Sequence, residues 1–152
     1  MKILLAIDGS ACSEAAVKEI AARRWPDHSH IKILAAVTAP YPDIPDPTLT
    51  FYPIRMEMLN KERDRLRELV EHKASWLREN SVDKDVTIDT AIVDGAPKSV
   101  IVEEAEQWGA DLIVLGCHGY GPVKRFLLGS VSQAVATHAP CSVEIVRSRH
   151  EE

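Results

Sequence analysis

The sequence predicts an α/β fold: a single-domain, open five-stranded parallel sheet, doubly wound and Rossmann-like, with helices on both faces. Three observations predict it. Apolar runs of strand length alternate with amphipathic stretches of helical length along the whole chain. The strand candidates are apolar almost throughout, the pattern of strands covered on both sides. The 152 residues suit one domain, and no internal repeat or change of composition divides them. That domain is expected over residues 1–147, with 148–152 as a polar tail.

The elements follow in order. Lys2-Ile-Leu-Leu-Ala-Ile7 is the first strand, broken by Asp8-Gly9-Ser10. A helix over about 11–24 carries Ala15, Ala16, Ile20 and Ala21 near helical spacing, and Pro26 stops it. Residues 31–37 form the second strand. Five prolines between Pro40 and Pro53 then predict an extended loop, because proline neither donates to a ladder nor continues a helix. A long helix is expected over 54–80, its apolar stripe made by Leu59, Leu66, Leu69, Val70, Ala74 and Leu77. The third strand is 86–93. Pro97 suits the first position of a helix that runs to Trp108 and ends at Gly109. The fourth strand is 111–115, a helix is expected over 131–138, and Cys141 to Val146 is the fifth strand.

Composition excludes several roles. Eighteen basic against 23 acidic residues give a net charge of −5, and aromatics are 5% of the chain. That is neither the basic field nor the stacking platform of a nucleic-acid binder. No apolar run is long enough to span a membrane, and the first one meets Asp8 too soon for a signal peptide. The three cysteines, Cys12, Cys117 and Cys141, are far apart and form no C-x-x-C. Neither a zinc site nor a dithiol centre is suggested, and a cytoplasmic location is the natural reading. The histidines other than His118 (His28, His30, His72, His138, His150) share no ligand spacing. No nucleophile elbow or paired carboxylates mark an enzyme active site.

The chemistry concentrates at 116–130. Four of the seven glycines lie there, and the stretch reads G-x2-G-x9-G-S over Gly116, Gly119, Gly129 and Ser130. It is neither a P-loop nor a dinucleotide fingerprint. Gly116 and Gly119 would let the backbone turn off strand four and approach a ligand. Ser130-Val131-Ser132-Gln133 matches a capping box at a helix start, where free N–H groups suit a phosphate. A plain turn followed by an ordinary helix cap explains the same residues. Asp8, at the end of strand one, is either a ligand carboxylate at the switch point of the sheet or the acceptor of an Asx turn. His118 would donate to a phosphate or pack beneath the loop. Lys124 and Arg125 would reach phosphates or remain a solvated pair. Cys12 and Cys117 flank the same place from two loops.

From end to end the chain resembles the universal stress proteins, and in particular the ATP-binding subgroup that carries G-x2-G-x9-G-[ST]. The opening Lys2 to Ser10, the Val93-Asp94-Gly95-Ala96-Pro97 turn, and the closing Gly129-Ser130-Val131-Ser132 and Ala139-Pro140-Cys141-Ser142-Val143 carry the resemblance. It implies an adenine nucleotide alpha hydrolase-like fold that holds ATP with Mg²⁺. By resemblance Asp8 would meet ribose or a magnesium-bound phosphate, and the main chain near Val37 would meet adenine. Gly116, His118, Gly119, Gly129, Ser130, Val131 and Ser132 would line phosphate and ribose. The resemblance also implies a homodimer paired through the last, edge strand, although Glu144 puts a charge where the family pattern is apolar. An unknown protein partner would fit best at 40–80. The function implied is a nucleotide-dependent regulatory module in the stress response. The alternatives are a slow ATPase or transfer enzyme of the same fold, and a nucleotide-free structural dimer.

Overall fold

Strand and helix alternate without exception in the computed structural model, which describes residues 1–38, 51–117 and 128–148. The order is β1 (Lys2–Ala6), α1 (Ala11–Ala22), β2 (His30–Val37), α2 (Tyr52–Asn80), β3 (Thr87–Asp94), α3 (Pro97–Trp108), β4 (Leu112–Gly116), α4 (Ser130–His138) and β5 (Ser142–Val146). The strands form one five-stranded sheet in the order β3-β2-β1-β4-β5, and every pairing is parallel. The chain steps outward from β1 to β3, then crosses to β4 and β5. The switch point therefore lies between β1 and β4, where Ala6 sits opposite Leu115.

Side chains on a strand alternate between faces, so each strand feeds two cores. Ile3, Leu5, Ile31, Ile33 and Val114 pack with α1 and α2 on one face. Leu4, Leu34, Ile113 and Leu115 pack with α3 and α4 on the other. Ile3, Leu4 and Leu5 are wholly buried, each contributing about 1.5–3 kcal/mol of apolar transfer.

Several boundaries differ from the sequence reading. Pro53 is not in the loop. It stands in the first turn of α2, where a missing N–H costs nothing. The remaining prolines of that stretch lie outside the described residues. α2 has 29 residues and so extends about 43 Å, more than the strands it covers. Its buried residues, Leu66, Val70, Ala74 and Leu77, all lie from its midpoint onward, whereas Phe51, Tyr52 and Ile54 at its start are exposed. α1 ends at Ala22 because Arg23 turns extended. The Arg23 guanidinium donates to Glu19 at 2.7 Å and to both oxygens of Glu144 on β5, at 2.7 and 2.8 Å. The Glu144 charge thus has a partner within its own chain.

The capping box at Ser130 is not formed. Ser130 is already the first helical residue of α4, the N-cap is Gly129, and no side chain caps the helix. Gln133 instead donates its backbone N–H to Gly129 O at 2.9 Å.

Candidate nucleotide cleft

The carboxyl ends of β1, β2 and β4 open onto a cleft of about 280 Å³. The loop after β1 forms one wall. The Ile7 N–H donates to Leu34 O at 2.9 Å, which ties the loop to β2. Asp8 is half-buried, and its Oδ1 accepts the Ser10 N–H at 2.8 Å. The Asx turn is therefore real, and it engages one carboxylate oxygen. Gly9 follows with φ +84°, a conformation that favours glycine. Ser10 then caps α1: its Oγ accepts the Ser13 N–H at 3.2 Å, while Ser13 Oγ accepts the Gly9 N–H at 3.1 Å. This arrangement differs from a capping box in that Ser13 takes the Gly9 N–H, while the N–H of the N-cap residue Ser10 goes to Asp8. The spacing Ser10-x-x-Ser13 was the signal for it.

The opposite wall is the end of β4 and the start of α4. Residues 118–127 lie outside the described residues, and with them His118, Gly119, Lys124 and Arg125. Both ends of that stretch meet at one carbonyl. Cys117 O accepts the Gly129 N–H at 2.8 Å and the Ser132 hydroxyl at 2.9 Å. The same hydroxyl reaches Gly129 O at 3.0 Å. Ser132 is buried, and its hydroxyl joins the start of α4 to Cys117. Ser130, Val131 and Ser132, as the first residues of α4, carry backbone N–H groups with no intrahelical acceptor. All three line the cleft, with Gly129 and Gly116.

Gly116 has a reason of its own. A Cβ there would lie 2.6 Å from Cys12 C, 2.7 Å from Cys12 Cβ and 2.8 Å from Ser13 N. The first turn of α1 rests directly on the Gly116 backbone, so glycine is required by packing before any ligand is considered.

The lining divides in two. Ala6, Leu34, Ala36, Ile101 and Leu115 form an apolar end, with Pro97 beside them. Asp8, Ser10, Ser13 and the start of α4 form a polar end, where Asp8 is the one charged side chain among the described lining residues. The positive ends of α1, α3 and α4 all face this side of the sheet. Val37 lies elsewhere: its side chain is buried in the α1–α2 core, and its carbonyl accepts the Gly95 N–H at 2.9 Å. Ala36, one residue back, lines the cleft instead. Ala36, Pro97 and Ile101 escaped the sequence reading because their approach depends on sheet order. Only strand alternation could have separated Ala36 from Val37.

Cys12 and Cys117 come together below the polar end. Their sulfurs are 2.9 Å apart, and both residues are buried.

The comparisons with known proteins agree in direction. The model of the universal stress protein family matches residues 1–147. A universal stress protein of Staphylococcus epidermidis is 47% identical over 62 residues, covering 40% of this chain and 37% of that protein. The chain thus spans well under half the length of the curated relatives it matches. Among solved structures, hypothetical protein MJ0577 is 26% identical with a TM-score of 0.81, over 99% of this chain and 97% of that one. The universal stress protein UspA from Lactobacillus plantarum is 26% identical with a TM-score of 0.80, over 97% of each chain. An Arabidopsis thaliana universal stress protein family member, solved with AMP bound, shares the fold at 18% identity and a TM-score of 0.63, over 99% of this chain and 94% of that one.

Proposed function

The chain belongs to the universal stress protein family, and from that premise we propose that it is an ATP-binding regulatory module. The observation that carries the reading is the uncapped start of α4, whose Ser130, Val131 and Ser132 N–H groups line a cleft with an apolar far end. A helix start of this kind holds a phosphate with backbone donors and the helix dipole. The apolar part of the lining would take a flat base. The main chain near Val37, where Ala36 lines the cleft, would meet that base. Asp8 would face ribose or a magnesium ion, since its Oδ1 is already held by Ser10. A single carboxylate suits Mg²⁺ that arrives with the nucleotide and keeps most of its waters and phosphate ligands. Gly116, His118 and Gly119 would complete the phosphate side. The AMP-bound Arabidopsis relative supports the class of ligand.

Regulation would come from the 116–129 segment, since Cys117 and Gly129, toward its two ends, are joined beside the proposed phosphates. A homodimer through β5 is part of the same proposal. β5 is an edge strand, and Arg23 already neutralises Glu144 there, so the charge does not oppose pairing. A protein partner would meet the 40–80 region.

The test is direct. Purified protein is denatured, and any released small molecule is identified by chromatography and mass. The stripped protein is then titrated with ATP, with and without Mg²⁺. Binding tighter with Mg²⁺ and without ADP formation is expected. No nucleotide in the extract and no binding at millimolar ATP would sink the reading, and turnover to ADP would favour the enzyme.

A further inference from the structure

We propose that Cys12 and Cys117 are a reversible oxidation site that closes to an intramolecular disulfide. The two residues are 105 apart in sequence and come from different elements, the first turn of α1 and the end of β4. The fold nevertheless holds their sulfurs at 2.9 Å, against about 2.0 Å for a covalent bond. The closeness is built into the backbone. α1 lies on Gly116 with no room for even a Cβ, which fixes the approach of the residues next to it. The Cys117 main chain is held on both sides: its N–H donates to Val146 O at 2.9 Å, and its carbonyl accepts Gly129 N–H and the Ser132 hydroxyl. A small shift of one side chain therefore closes the bond, with no rearrangement of the sheet.

No third metal-ligating group joins the pair among the described residues. Ser148 Oγ lies 3.7 Å from Cys12 Sγ. Burial pushes the Cys117 thiol up to about 11, the contact with Cys12 adds to this, and Arg147 pulls the other way. Reaction is accordingly slow at neutral pH and answers to sustained oxidant, because the thiolate is the nucleophile.

With hydrogen peroxide as oxidant the step balances. One thiolate attacks the O–O bond, giving a sulfenic acid and one water. The second sulfur then attacks the sulfenic sulfur, forms S–S and releases the second water. The two sulfurs supply two electrons to the peroxide, and both thiol protons end in water. A dithiol reductant restores the pair by exchange. The bond would join the Ser10–Ser13 wall of the cleft to the Gly116–Ser132 wall, yet its formation does not depend on what the cleft binds.

The experiment uses the full chain, reduced and then exposed to hydrogen peroxide. Thiol titration should fall from the three of the sequence to one, the intact mass should drop by two hydrogens, and a linked peptide should join Cys12 to Cys117. Dithiothreitol should reverse all three readouts. Oxidation should raise the melting temperature by about 5 °C or more, as expected for a crosslink that closes a long loop. Cys12→Ser and Cys117→Ser should each abolish the linked peptide and the thermal gain, while Cys141→Ser should keep both. Should Cys117→Ser fail to fold, Cys12→Ser decides alone. Covalent dimers through Cys141 with Cys12 and Cys117 still reduced, or sulfinic acids with no linked peptide, would overturn the proposal.

Discussion

Two helices begin at the rim of the same cleft, and they begin in opposite ways. α1 is finished from within: Ser10 Oγ takes the Ser13 N–H, and Ser13 Oγ takes the Gly9 N–H. α4 starts on Gly129 with no capping side chain. The hydroxyl two residues into that helix, Ser132, is turned back to hold Cys117 O and Gly129 O. A capping oxygen and an external anion compete for the same N–H groups. The difference therefore teaches which helix is left open to a phosphate. On the proposed reading, α1 would serve as a finished wall and α4 as the donor end.

The largest test is to give α4 the kind of start that α1 has. Gly129 has φ −64° and ψ 158°, an extended conformation open to any residue. Gly129→Asp should therefore fold normally, cap the free N–H groups and place a carboxylate where phosphate is proposed. We expect ATP affinity to fall at least about 100-fold, or about 2.7 kcal/mol, in a calorimetric titration. Unchanged affinity would move the donor end elsewhere.

The next effect falls on stability. Gly116→Ala places a methyl within 2.6–2.8 Å of Cys12 and Ser13 backbone and Cβ atoms. Overpacking against a helix backbone should cost about 2 kcal/mol in urea unfolding. A variant as stable as the parent would show that α1 yields easily, and the two walls would then be less rigidly joined than described.

The smallest effect should come from α1. Ser10→Ala removes its cap and should cost about 1 kcal/mol of stability. ATP affinity should stay within about twofold, since the change removes the capping acceptor and introduces no competing charge. A large loss of affinity with little loss of stability would reverse the comparison and make α1 the phosphate end.

Much of the fold was legible in the chain. The apolar runs at Ile3–Ile7, Ile31–Val37 and Leu112–Leu115 marked strands, because only a doubly covered strand tolerates such continuity. Gly109, with φ +69° at the end of α3, closed its helix as expected. The start of α4 was placed one residue late, since Ser130-Val131-Ser132-Gln133 reads as a capping box and Gly129 takes the cap instead. Local pattern is ambiguous there: serine suits both the cap and the first turn, and only contact with Cys117 O decides. At the site, Asp8, Gly116, Gly129, Ser130, Val131 and Ser132 were named from spacing or resemblance and do gather around one cleft. Val37 does not line it, because the two-residue period of a strand turns Val37 toward α2 and Ala36 toward α3.

By itself the sequence determined the alternation of strand and helix and the single-sheet architecture. It also determined the glycines at which the chain must turn, all local consequences of hydrophobic period and backbone freedom. Only the tertiary structure decided three further things. It made Gly116 a packing requirement, joined Arg23 to Glu144 across 121 residues, and brought two distant cysteines into contact. Those depend on which strands lie side by side, and strand order is a property of the whole sheet that no local stretch of residues carries.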